Sequence, residues 1–227
     1  MSAFKTWIRR TCMSATAIVI TGMVQSPAHA YQQDYRFTYS KLYTQLKHNA
    51  EEGHDSAKVG VFFVSAENGL PCELDKAWME KEEKYEVLKV AANGELQLPI
   101  DSHLRQANPL VFIEIEQEVQ CDFSMVVMSK SALSGRVDYQ QLITLQSDMQ
   151  KLLGDLGGMF ARWFTPDVEG VTLEFAESQG KITLSSGQTL PIENHRVSVD
   201  IRKLARGDSI ELPYETLRVM PYIPKAG

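Results

Sequence analysis

Apolar positions change period several times along the chain, and each change marks an element. Tyr39, Leu42, Tyr43 and Leu46 recur at i, i+3, i+4 and i+7, which predicts a helix over Thr38 to Ala50. Lys41, Gln45, Lys47 and His48 fall elsewhere on its wheel, and Glu51-Glu52-Gly53-His54-Asp55 ends it, Gly53 supplying the permissive backbone of a helix stop. Strand signals follow. Val59 to Ser65 is β-branched and aromatic, Glu67-Asn68-Gly69 is turn material, and a further strand is expected over Cys72 to Glu80. Lys84 to Val90 and Glu95 to Ile100 flank Asn93-Gly94, the strongest hairpin signal in the chain. Pro109 to Glu118 and Cys121 to Lys130 are expected to pair with each other, and Asp101 to Asn108, which carries His103, to form a helical turn.

Helical periodicity returns over Asp138 to Phe164, where Leu142, Leu145, Met149, Leu152, Leu153, Leu156, Phe160 and Trp163 make a broad apolar face. Asp138 is the expected N-cap and Pro166 the stop. Gly154, Gly157 and Gly158 interrupt the pattern, so a break is expected near Gly157, with Met159 to Trp163 as a second helix and close backbone packing as the reason for the glycines. Beyond Gly170 the alternation of Val171, Leu173 and Phe175, of Ile182 and Leu184, and of Val197, Val199 and Ile201 predicts strands to the end.

The resulting expectation is an α+β fold. An antiparallel sheet over about residues 58–130 carries an N-terminal helix and a long covering helix over about 138–164, followed by a small C-terminal β module. The expected divisions are a leader over 1–30, an α+β domain over 31–165 and a β-rich module over 166–227 packed on it.

The first thirty residues have a different logic. Lys5, Arg9 and Arg10 precede an apolar run from Met13 to Val24, and Ala28-His29-Ala30 supplies small residues around a cleavage point after Ala30. This reads as a secretory signal peptide, because twelve apolar residues fall short of the roughly 20 that span a bilayer. The expected location is the periplasm, with no transmembrane segment after cleavage. Loss of the leader leaves Cys72 and Cys121, an even pair in an oxidising compartment, and a disulfide between them is expected.

The 227 residues are 44% hydrophobic and 23% charged, a globular composition. Net charge is −6 for the whole chain and −9 without the leader, whose three cations have no acidic counterpart. No basic stripe is present to neutralise phosphates, which argues against nucleic acid as a partner.

Candidate chemistry is sparse. His48, Glu51, Glu52, His54 and Asp55 form the densest cluster of metal-ligand types, and His48 and Glu52 share a helix face at i, i+4. His48, Glu52, His54 and Asp55 are weak metal candidates, since the spacing matches no zinc signature and a solvated helix end explains it equally; no metal and no cofactor is the expectation. Glu114, Glu116 and Glu118 line one face of a strand, with Ile113 and Ile115 on the other, as a solvated sheet face requires. Trp78, Trp163, Phe164 and Tyr222 offer surfaces for a sugar or peptide, although aromatic residues on amphipathic elements are more often core. Nucleophile-elbow, H-E-x-x-H, S-x-x-K, Walker and dinucleotide motifs are missing from the sequence.

Several segments together carry a resemblance: YRFTYSKLYTQLKHN (35–49), KAWMEKEEKYE (76–86), LPIDSHLRQANPLVFIE (98–114), CDFSMVVMSK (121–130), LGGMFARWFTPDVEGVTLEF (156–175) and SGQTLPIEN (186–194). The chain resembles a family of uncharacterised exported proteins of Gram-negative gammaproteobacteria, classed as a domain of unknown function. The resemblance implies export and a single co-occurring unit, and brings no activity, cofactor or catalytic residue. The functional expectation is therefore a soluble periplasmic binding or envelope-associated protein without catalysis. One alternative is a hydrolase of a cell-envelope polymer acting by carboxylate/His acid-base chemistry. Another is a subunit or partner of an envelope protein complex.

Overall fold

The structure is a computed structural model that describes residues 31–158 and 165–224. The leader expected over 1–30 and the second helix expected over 159–163 lie outside the described residues.

In chain order the first part comprises β1 (Tyr31–Thr38), α1 (Tyr39–Leu46), β2 (Ala57–Ser65), β3 (Lys76–Lys81), β4 (Lys84–Val87), β5 (Lys89–Val90), β6 (Leu96–Gln97), α2 (Ser102–Ala107), β7 (Leu110–Gln117), β8 (Cys121–Ser129), β9 (Gly135–Asp138) and α3 (Tyr139–Gly157). Then come β10 (Gly170–Phe175), β11 (Gln179–Leu184), β12 (Thr189–Glu193), β13 (Arg196–Asp200), β14 (Ser209–Leu212) and β15 (Thr216–Tyr222). All pairings are antiparallel. A four-stranded sheet runs β1-β7-β3-β4, β2 and β8 form a ribbon, β5 and β6 a short hairpin, and a seven-stranded sheet runs β15-β10-β13-β12-β11-β14-β9. With the three α-helices among the described residues this is the α+β architecture that the periodicity predicts. β9, which precedes the long helix in sequence, pairs with β14 and so belongs to the C-terminal sheet.

The first helix begins where expected and tightens into a 3-10 turn over Lys47–Ala50. It buries Tyr39, Leu42 and Leu46, the positions that carried the period. In α3 the Asp138 side chain accepts the Gln141 N–H at 2.8 Å, the expected N-cap. Leu142, Leu145, Met149 and Leu152 are buried, laid across β2, β8 and β10. Burying each such side chain contributes about 1.5–3 kcal/mol, which makes this face the joint between the N-terminal strands and the C-terminal sheet.

Two expectations are corrected. β7 and β8 do not pair with each other: β7 lies between β1 and β3, and β8 pairs only with β2. The cause is Gln33, a buried polar residue of β1. Its Nε2 donates to Val119 O and its Oε1 accepts from Cys121 N, both at 2.9 Å, so the β7–β8 connection is satisfied by a side chain and the strands diverge into different sheets. Close packing does not explain the α3 glycines either, since Gly157 is exposed and a Cβ on Gly154 would meet nothing within 4 Å. The helix stops at Gly157 because Gly158 adopts φ +58°, a conformation costly for other residues.

The expected disulfide joins Cys72 to Cys121 across 49 residues. It ties the segment after β2 to the start of β8. Among the described residues, no helix is long and apolar enough to cross a membrane.

Candidate functional site

Two clefts form on either side of the β5–β6 hairpin. Asn93 and Gly94 make its turn: Asn93 Oδ1 accepts from Glu95 N at 3.1 Å, and Gly94 stands at φ +83°. The close fit of Gly94 against Pro71, only 2.7 Å from where a Cβ would sit, presses the turn onto the loop that carries Cys72. Asn93 Nδ2 also reaches Leu217 O on β15 at 3.4 Å.

On one side of this hairpin lies a cleft of about 530 Å³, walled by Leu70, Pro71, Cys72, Phe175, His195 and Leu217. On the other lies one of about 470 Å³, walled by Lys58, Glu95, Ser129, Lys130, Thr216 and Leu217. Ala91, Ala92, Asn93 and Leu217 line both, so the two meet along the hairpin. Each volume falls in the range of small-molecule sites.

A buried ionic clamp fixes the walls. Glu174 of β10 is fully buried and receives Arg218 Nε at 2.6 Å, Arg218 Nη2 at 2.8 Å and Arg196 Nε at 2.7 Å. Both arginines also donate to Gly69 O, at 2.8 Å from Arg196 and 3.1 Å from Arg218. The Arg218 guanidinium lies 4.8 Å from the Phe62 ring centroid. Strands β13, β10 and β15 are thereby fastened to the turn after β2, with three charge-assisted bonds reaching the two carboxylate oxygens.

Three of the titratable groups along the clefts, Lys58, Glu95 and His195, are engaged by neighbours. Lys58 and Glu95 pair at 2.7 Å while largely buried. His195 Nδ1 lies 3.1 Å from Ala176 O, a contact in which the ring nitrogen must donate. This arrangement is suited to recognition by shape and a few fixed polar groups.

The weak metal candidates from sequence are only partly brought together. His48 Nδ1 bonds Glu51 Oε2 at 2.7 Å, which holds the Glu51 carboxyl below its ordinary range. Glu52 and Asp55 are exposed, and Glu52 contributes its carbonyl, which accepts from Lys151 Nζ at 2.8 Å. His54 is different: it is completely buried, and neither ring nitrogen has a hydrogen-bond partner among the described residues. An imidazole left so costs about 1–3 kcal/mol in lost hydration. Its ligand nitrogen and carboxylate oxygens of Glu51 and Asp155 lie within 4.8 Å of one another. Asp155 was out of reach of sequence reasoning because it lies on the last turn of α3, about a hundred residues away. Glu174, Arg196 and Arg218 were also missed, since isolated charges in alternating strands read as solvent-facing.

On the outer face of the four-stranded sheet, Trp78 stacks on Phe112 at 5.2 Å and on Tyr85 at 6.1 Å between centroids. In the acidic stripe, Glu114 pairs with Lys76 at 3.1 Å, while Glu116 and Glu118 are exposed. His103 stands in the helical turn expected there, with its side chain 91% exposed. Tyr222 ends β15; Trp163 and Phe164 lie outside the described residues.

Residues 31–175 match the family described as protein of unknown function (DUF2987), and the chain belongs to that family. The match runs from β1 through β10 and so includes one strand from each side of α3 that builds the C-terminal sheet. Neither a curated protein nor a solved structure gives a significant match.

Proposed function

We propose that the protein is an exported, non-catalytic binding protein of the periplasm, and that the double cleft along the β5–β6 hairpin is its ligand site. One observation carries the reading: two clefts of small-molecule size share the hairpin as a common wall. The disulfide and the Glu174 clamp fix the loop and strands that face the hairpin, so little conformational freedom is lost on binding. The leader-like residues 1–30 and a disulfide suited to an oxidising compartment support export. The ligand expected is small and mixed in polarity, contacting Leu217 and Phe175 with its apolar part and the amide of Asn93 with a polar one.

Ala92 is exposed and lines both clefts, so Ala92→Trp fills them at little cost to folding. The small-molecule fraction of a periplasmic extract should raise the melting temperature of the wild type and leave Ala92→Trp unmoved. An equal response of both proteins removes the cleft as the site.

A second reading has its own observation. All four residues of edge strand β4 are exposed, with Tyr85 at 60% and Val87 at 67%. An open sheet edge bearing apolar side chains fits strand addition by an envelope protein.

A further inference from the structure

We propose that Glu51, His54 and Asp155 bind one divalent transition-metal ion of the zinc class. The proposal is independent of the double cleft. Its first support is the placement of three ligand-type atoms within 4.8 Å of one another, drawn from the turn after α1 and from the last turn of α3. The second is His54, fully buried and with both ring nitrogens unpartnered among the described residues. Burial without a partner is unfavourable for an imidazole, whereas coordination satisfies one of its two nitrogens and uses the neutral ring.

The surroundings favour a cation. The His48 contact engages Glu51 Oε2 at 2.7 Å and leaves Oε1 available. Asp155 belongs to the C-terminal end of α3, where unpaired carbonyls present the negative pole of the helix. Lys151 and Lys47 are opposing charges near the loop, and the Lys151 ammonium donates to Glu52 O at 2.8 Å.

One nitrogen and two carboxylates suit zinc and neighbouring first-row ions better than calcium, which takes oxygen ligands. Ligand atoms around a tetrahedral zinc are about 3.4 Å apart, so the group must tighten on binding. Glu51 is exposed and Asp155 half-buried, and both are free to make that adjustment toward the buried histidine. Three protein ligands leave a fourth position, open on the Glu51 side, for water or a small anion.

The test is zinc titration of the chelator-stripped full protein, with Zn2+ alone as the probe and a chromophoric chelator as competitor. The expectation is one equivalent bound per chain. His54→Ala, Glu51→Gln and Asp155→Asn should each weaken it at least tenfold, while His103→Ala leaves it unchanged. If His54→Ala fails to fold, the two carboxylate variants decide, because neither removes a buried side chain. Absence of stoichiometric zinc binding in the wild type overturns the proposal, as does wild-type affinity in any folded one of the three variants.

Discussion

Arg218 grips Glu174 with two prongs, Nε to Oε1 at 2.6 Å and Nη2 to Oε2 at 2.8 Å, in a contact where the two side chains are 2% and 0% exposed. Removing one partner of such a pair strands a charge away from water. Arg218→Met should therefore destabilise the protein by about 3–5 kcal/mol, read as a lower urea midpoint. Arg196, whose side chain is 36% exposed, should matter less, and Arg196→Met should cost about 1 kcal/mol. Equal losses would mean that the clamp is not organised around Arg218.

The Cys72–Cys121 bond closes a segment of 49 residues that holds β3 to β7. In the chain-entropy treatment its removal costs up to about 4 kcal/mol. Non-reducing peptide mapping should recover the linked pair, and Cys72→Ser with Cys121→Ser should lower the melting temperature without altering secondary structure. Two free thiols in protein isolated from its own compartment would contradict the bond.

Glycine substitutions separate three roles that the sequence merges. Gly154 has open space around its missing Cβ, so Gly154→Ala should stabilise α3 by up to about 1 kcal/mol. Gly158→Ala should destabilise by about 1 kcal/mol because of its positive φ. Gly170→Ala should be the most damaging, since a Cβ there would sit 1.9 Å from Val199 O on the paired strand. Thermal unfolding of the three variants gives the order directly.

Acid sensitivity has identifiable sources. Asp101 accepts the N–H groups of Leu104 and His103 at the start of α2, and Asp200 bonds Arg202, so both carboxyls titrate below their ordinary value of 3.8. Each group thus contributes stability that is complete above the unfolded value and is lost as pH falls through the lower folded one. Asp101→Asn retains a capping oxygen but not the titration. Its melting temperature should fall less steeply than that of the wild type between about pH 4 and pH 2; parallel curves would exclude Asp101 as a source.

Much of the fold was legible because it rests on periodicity. Tyr39, Leu42 and Leu46 mark α1, Asn93-Gly94 marks the β5–β6 turn, and Asp138 marks the start of α3. β1 was not legible, because its inward side begins with Gln33, a polar residue whose partners lie 86 and 88 positions away. The same limit hides the site. Glu174 meets Arg218 across 44 residues, and Asp155 meets Glu51 and His54 through the return of α3 onto the turn after α1. Such long-range polar meetings leave no local period to read.

The proposed function requires that the hairpin clefts hold a small ligand in the native compartment. Native mass spectrometry of the protein released gently from its own compartment reads this directly. The account predicts an added organic mass on the wild type that survives chelator treatment and disappears in Ala92→Trp. The same added mass on both proteins, or a bare wild-type chain that also gains no thermal stability from the periplasmic small-molecule fraction, would contradict it.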